Sequence, residues 1–212
     1  LFGFCQPYRE GLNMRHFAAP ITDRKIRFAL VGCGRIAQNH FAALKQHADR
    51  AELVSVCDIN PIALDAAAKL TGAKPFSSLC TLLADTSADV VILTTPSGLH
   101  PEQAIDVAAA GLHVMTEKPM ATDEKMAQEI LDAERRTGRK LIVTFNYRYS
   151  PDSVRIKEIL ESREIGEIIS VDFHWYLDTD HGASYFRRWH AFKQFSGSLL
   201  VHKATHHFDA MN

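Results

Sequence analysis

No apolar run in this sequence approaches the roughly 20 residues that a membrane-spanning helix needs. No basic tract exists either. The 24 lysines and arginines are balanced by 25 acidic residues, for a net charge of −1, so nothing points to nucleic acid or an anionic membrane. Cysteine is scarce. The four present, Cys5, Cys33, Cys57 and Cys80, have the spacing of neither a metal site nor a redox pair. That pattern implies a reducing compartment, and the cytoplasm is expected. The start lacks the cationic-then-apolar pattern of a secretory leader. It also lacks an initiator methionine, so Met14 is the expected true start and residues 1–20 an extension outside the fold. At the other end Met211 and Asn212 lie inside a helical pattern with no stop signal, which predicts a truncated chain.

What is present is ordinary globular material. Hydrophobic residues make up 46% and charged residues 23% of 212 positions, enough for one large domain or one and a half. The most informative stretch is Lys25 to Ala37. An apolar run suited to a buried parallel strand turns at Gly32 and Gly34, then becomes a helix with Ile36, Ala37, Phe41 and Leu44 on one face. This is G-x-G-x-x-A in a strand–turn–helix setting. Gly32 makes the tight turn, Gly34 lets the backbone approach a pyrophosphate, and Ala37 permits close helix–strand packing. The helix N-terminus then offers free N–H groups to the phosphates. A second strand, Leu53–Cys57, ends at Asp58, whose carboxylate suits the ribose hydroxyls and repels a 2′-phosphate. No arginine follows it directly, so NAD is favoured over NADP. The competing reading is a glycine turn in a nucleotide-free α/β domain.

Further strands are predicted at 90–93, 113–115 and 141–145. Helices are predicted from Pro61 to Gly72, Ser78 to Ala84, Pro101 to Ala110, and from a Thr122 cap to Gly138. Alternating strand and helix from 25 to 145 implies a doubly wound parallel sheet, and residues 21–145 are expected to be one dinucleotide-binding domain. Ligands of such sheets bind at the carboxyl ends of the strands. Those ends carry Gly32, Asp58, Thr95, Lys118 and Asn146. Residues 146–212 are expected to start a second domain. It opens with a helix over Ser150–Ser162 and a long alternating strand over Glu167–Leu177. A site loop over 178–197 and a helix from about Ser198 follow.

Two places carry candidate chemistry. Lys118, between Glu117 and Pro119, is suited to hold a substrate hydroxyl and stabilise alkoxide charge, and a cis Lys118–Pro119 bond would turn it inward. A surface lysine before a turn proline is the alternative. His202, His206 and Asp209 share a helix face by i, i+4, i+7 spacing. His206 is the expected base for a secondary alcohol. Solvated histidines are one alternative. Zinc is another, with a third ligand from His181, His190 or Asp209; no metal is expected. The stretch from His174 to His190, with Trp175, Tyr176, Tyr185, Arg187, Arg188 and Trp189, suits a sugar ring and an anionic group.

Taken together, Val31–Ala37, Thr95-Pro96-Ser97-Gly98-Leu99-His100, Glu117-Lys118-Pro119, and Gly197–Leu200 leading to His206-His207-Phe208-Asp209 resemble the Gfo/Idh/MocA oxidoreductase family from residue 25 to the end. Residues 22–121 are most similar to its UDP-N-acetylglucosaminuronate 3-dehydrogenase branch, whereas Tyr185–Asp209 resembles another branch. The resemblance implies a Rossmann domain and a C-terminal α/β domain with an open, mostly antiparallel sheet, incomplete here. That sheet usually supports a homodimer or homotetramer. Catalysis falls on Lys118 and His206. NAD falls to Gly32, Gly34, Arg35, Ile36, Asp58, the Thr95, Pro96, Ser97, Gly98 turn, His100, Glu117, Lys118 and Asn146. Substrate falls to Lys118, Arg148, Trp189, His202, Lys203 and His206. The family often has an aspartate where this chain has His202, a departure that bears on the usual proton path. The implied activity is NAD-dependent oxidation of a secondary hydroxyl of a sugar or nucleotide sugar, with C3 of UDP-N-acetylglucosaminuronate one candidate. The rivals are an NAD-dependent glycosidase of the same fold and a non-catalytic NAD- or sugar-binding protein.

Overall fold

A computed structural model describes residues 20–176, 178, 183 and 185–211. Residues 1–19, with Cys5 and Met14, and His181 in the expected site loop lie outside the described residues. The chain alternates β1 (Ile26–Val31), α1 (Ala37–Gln46), β2 (Ala51–Cys57), α2 (Pro61–Thr71), β3 (Lys74–Phe76), α3 (Leu79–Asp85), β4 (Val90–Leu93), α4 (His100–Ala109), β5 (His113–Glu117), α5 (Glu124–Thr137) and β6 (Leu141–Thr144). The six strands form one parallel sheet in the order β3-β2-β1-β4-β5-β6. That is the doubly wound order expected of a dinucleotide-binding fold, and it reverses direction between β1 and β4.

Period-two alternation divides β1 between the two faces of the sheet. Ala29 and Val31 pack with Val91, Leu93, Val107, Val114 and Ile130 under α3, α4 and α5. Leu30 packs with Val56, Ile92, Phe41 and Ala67 under α1 and α2. Leu30 lies opposite Val56 and Ile92 in register and has no exposed surface. Each such aliphatic side chain contributes about 1.5–3 kcal/mol by leaving water.

The helix ends follow local chemistry. Asn60, Ser78 and Asp123 cap α2, α3 and α5 with their side chains, and Gly72 and Gly138 close α2 and α5 in the left-handed conformation. The cap of α5 is therefore Asp123, not Thr122. Asp123 is extended, and its Oδ1 accepts from the Met126 N–H at 2.9 Å. The edge strand β3 was not expected, because three residues containing Pro75 show no readable alternation.

After β6 a 3₁₀ turn, Asn146–Tyr149, leads into α6 (Pro151–Glu161). Further on come a 3₁₀ turn at Trp189–Ala191, the short α7 (Lys193–Ser196) and α8 (Leu199–Met211). The expected strand over Glu167–Leu177 is not formed. Its described part, 167–176, has no regular secondary structure and is exposed, with Ile169 95% exposed. Alternation makes a strand only where a neighbour takes its N–H and C=O groups, and no described residue does so. The antiparallel sheet implied for the C-terminal domain is accordingly not present among the described residues.

The turn after β1 is the tightest point of the sheet. Gly32 has φ +96°, and a Cβ there would lie 2.9 Å from the Thr94 carbonyl carbon and the Thr95 nitrogen. Thr94 Oγ1 donates to the carbonyls of Gly32 at 2.6 Å and Val31 at 3.0 Å, which locks β4 against the turn. Gly32→Ala is expected to destabilise by about 2 kcal/mol through backbone strain and overpacking. Urea unfolding checks this, and an unchanged midpoint would contradict it.

Candidate active site

The carboxyl ends of β1 and β4 diverge to open a crevice. The N-termini of α1 and α4 face the same end. Among α1–α5 these two carry no side-chain cap, whereas α2, α3 and α5 do. Uncapped N–H groups at a topological switch point suit an anion. Gly34 is exposed, and a Cβ built there would meet nothing within 4 Å, so the backbone lies open to a close approach. Asp58 accepts from the Cys33 N–H at 2.7 Å and from the Asn60 N–H at 2.7 Å. Its two oxygens offer about four acceptor positions, so the remainder are left for ribose hydroxyls. These residues fit a dinucleotide, and Gly34 with the α1 N-terminus would hold its pyrophosphate. Arg35 and Ile36 lie exposed beside Gly34.

The Thr95–Gly98 turn also packs against the C-terminal part of the chain. Ser97 is 2% exposed, with Oγ 3.5 Å from His202 Nδ1. A Cβ on Gly98 would lie 2.5 Å from the Gln194 carbonyl oxygen, so α7 rests directly on this turn. Thr95 Oγ1 donates to Gln103. His100, 1% exposed, reaches the Pro119 carbonyl at 2.9 Å through Nδ1 and the Thr95 carbonyl at 2.8 Å through Nε2. It is a strut between the turns after β4 and β5. Burial holds its pKa below the ordinary value despite those two acceptors.

The Lys118–Pro119 bond is cis. The Lys118 ammonium donates to the His202 carbonyl at 3.0 Å, bringing the end of β5 against α8. His202, His206 and His207 are buried along that helix. His190 stacks on Trp189 at 3.8 Å and meets His202 edge-on at 4.8 Å. Lys118, His202, Lys203, Trp189 and His206 thus share one region. Asn146 starts the exposed turn after β6. Arg148 stands aside, its Nε 2.7 Å from an oxygen of Asp209 and a second nitrogen on the other. Among the described residues no three His, Cys, Asp or Glu side chains are grouped as a metal site.

A family model described as an oxidoreductase family with an NAD-binding Rossmann fold matches residues 26–145. A second, the C-terminal alpha/beta domain of the same family, matches 157–212. The chain belongs to the Gfo/Idh/MocA oxidoreductase family. The WlbA dehydrogenase of Chromobacterium violaceum, solved with NADH and UDP-GlcNAcA, superposes with a TM-score of 0.81 at 46% identity, over 91% of this chain and 56% of that one. YteT of Bacillus subtilis is 47% identical over 124 residues, 58% of this chain and 29% of that protein. D-glucoside 3-dehydrogenase of Escherichia coli is 31% identical over 149 residues, 70% of this chain and 42% of that protein. This member of the family thus spans less than two thirds of the length of each of these relatives.

The region around Lys118 and the histidines carries more positive than negative charge. Burial, with like charge from Lys203, lowers the Lys118 pKa to about 8, against an opposing pull from Glu117. Burial and Lys118 lower His206 to about 4; burial, Lys118 and His190 lower His202 to about 2; burial and Arg188 lower His190 to about 4. Burial opposes ionisation of Glu117, but a 2.9 Å bond to His40 Nε2 and the charge there outweigh it and lower its pKa. His40 and Tyr147 escaped the sequence reading, since each meets its partner across a long chain separation. His190, Thr205, His206 and His207 each keep a buried polar atom with no hydrogen-bond partner among the described residues. Buried polar atoms without a protein partner are what a bound ligand satisfies.

These histidines set a pH dependence. Their folded pKa values lie below the ordinary histidine value of 6.5. Below that value the unfolded chain binds protons that the folded chain refuses, so stability is full above it and falls on acidification toward about 4. Urea midpoints are expected to drop between pH 7 and pH 5, and His202→Gln to flatten the slope. Equal slopes for variant and wild type would contradict the account.

Proposed function

We propose that the chain is the NAD-binding and catalytic part of a dehydrogenase that oxidises a secondary hydroxyl of a sugar or nucleotide sugar. A single observation carries this. Lys118, at the carboxyl end of β5, donates at 3.0 Å to the helix turn one step before His206, at the dinucleotide end of the parallel sheet. An ammonium and a neutral imidazole are thereby delivered to the place where a substrate would meet a nicotinamide. NAD, when bound, supplies the hydride acceptor. His206, neutral above about pH 4, takes the hydroxyl proton. Its Nδ1 is enclosed, which leaves Nε2 for substrate. Lys118, protonated below about pH 8, holds the same oxygen and stabilises the charge that develops on it. Asp58 favours NAD over NADP.

The solved WlbA complex with NADH and UDP-GlcNAcA supports a uronic-acid nucleotide sugar as the first substrate to try. Lys203 beside Trp189 and His190 suits an anionic group next to an aromatic face. Buried free thiols at Cys33 and Cys57, both pushed up to about 12 by burial, suit a reducing, cytoplasmic setting. Exposed apolar side chains such as Ile169, Phe173 and Phe186 suit a homo-oligomer.

With UDP-N-acetylglucosaminuronate and NAD, absorbance at 340 nm should rise. The kcat/KM profile should be bell-shaped, with the acid limb near about 4 from His206 and the alkaline limb near about 8 from Lys118. Lys118→Ala should lose about 100-fold or more in kcat and its alkaline limb, with a far smaller effect on NAD affinity. Full turnover in Lys118→Ala would refute the assignment. Free sugar released without any change at 340 nm would favour the glycosidase reading instead.

A further inference from the structure

A histidine that serves as a base is usually oriented by a hydrogen bond to its second ring nitrogen. His206 has none: its Nδ1 is buried and lacks a partner among the described residues. The nearby groups that would supply one are engaged elsewhere. Position 202 holds a histidine, with Nδ1 facing Ser97 and its carbonyl accepting from Lys118. The Asp209 carboxylate is taken by Arg148. What does meet the imidazole is the ring of Tyr147, stacked at 4.1 Å between centroids with an interplanar angle of 12°. Phe145 closes the edge at 6.1 Å and 77°.

We infer that Tyr147 is a positioning residue for His206, fixing the plane of the imidazole by stacking where a hydrogen-bonded acid would otherwise fix it. This rests on the reading of His206 as the base. A hydrogen bond sets a ring by direction; a stack sets its plane, and the enclosure of Nδ1 then decides which edge points outward. The backbone holds the stack in place. The Ser150 N–H and Oγ both donate to the Tyr147 carbonyl, at 3.1 and 3.0 Å, which closes the 3₁₀ turn. The adjacent Arg148 clamps that turn to α8 through Asp209, three residues beyond His206. Tyr147 is 40% exposed, outside the buried clusters of the sheet, and the ring it stacks on is the His206 imidazole. Lys118, Glu117, His207 and Lys203 are the charged and titratable groups that act on His206, and of these His207 also lies against the Tyr147 ring, at 6.3 Å.

The test is histidine-ring NMR of the whole chain labelled with ¹⁵N-histidine, with His206→Gln used for assignment. Tyr147→Phe keeps the flat ring, Tyr147→Leu keeps apolar bulk without it, and Tyr147→Ala removes both. His206 in Tyr147→Phe should titrate as in wild type, near about 4, and in Tyr147→Leu should move toward 6.5, while His202 and His113 stay where they were. Convergence of every histidine on the ordinary value in Tyr147→Ala would mark unfolding, and the leucine variant then decides. With NAD and UDP-N-acetylglucosaminuronate, kcat/KM should fall about 10- to 100-fold in Tyr147→Leu and hold within about two-fold in Tyr147→Phe, with KM for NAD unmoved. A His206 titration in Tyr147→Leu that matches wild type overturns the inference. Absence of turnover in wild type would instead defeat the proposed function and leave the ring titration to decide the role of Tyr147.

Discussion

The docking of the histidine-bearing face of α8 on the carboxyl ends of the parallel strands is the constraint on which the site depends. Three contacts stand out among those that hold it. The Lys118 ammonium reaches the His202 carbonyl, the Arg148 guanidinium grips Asp209, and the Tyr147 ring lies on His206. Each begins at or just beyond the end of β5 or β6 and ends on α8. A fourth support, α7 resting on Gly98, brings the chain down onto the turn after β4. Remove that docking and Lys118 and His206 have no common neighbour. The Rossmann sheet would still form around Leu30, Val56 and Ile92, because its core owes nothing to α8.

The same docking creates an electrostatic cost. Three histidines and two lysines are drawn together with little opposing charge, since Glu117 is already bonded to His40. The imidazoles respond by staying neutral, and Lys118 by releasing its proton more easily. Buried polar atoms at His190, Thr205, His206 and His207 lack hydrogen-bond partners among the described residues, and each costs about 1–3 kcal/mol while unsatisfied. A fold that keeps such groups in one place gives up stability there. In return it holds a neutral imidazole and a cation side by side.

The sheet was legible because its strands are short, largely apolar runs, and because α/β alternation admits few topologies. The turn at Gly32 and the acid at Asp58 are local in sequence, so their geometry could be read from spacing. Two failures have a common cause. Residues 167–176 alternate as a strand should, yet a strand is a property of two segments, and the second is not among the described residues. β3 is a strand only because β2 accepts it. The histidine face of α8 was legible from i, i+4 spacing. Its partners were not, because Lys118 lies 84 residues from His202, and Arg148 61 from Asp209. Ser97, Gly98 and His100 lie in a stretch that reads as a nucleotide turn, and the structure uses them to brace α7, α8 and the Pro119 turn.

A 13-residue helix is marginal in water on its own, so the docking of α8 is directly measurable. Backbone hydrogen exchange, resolved by residue, should show the amides of α8 protected in the intact chain. That protection should fall selectively in Arg148→Ala, while β1 and β4 keep theirs. Exchange of α8 at the rate of free peptide in wild type, beside a fully protected sheet, would contradict the account.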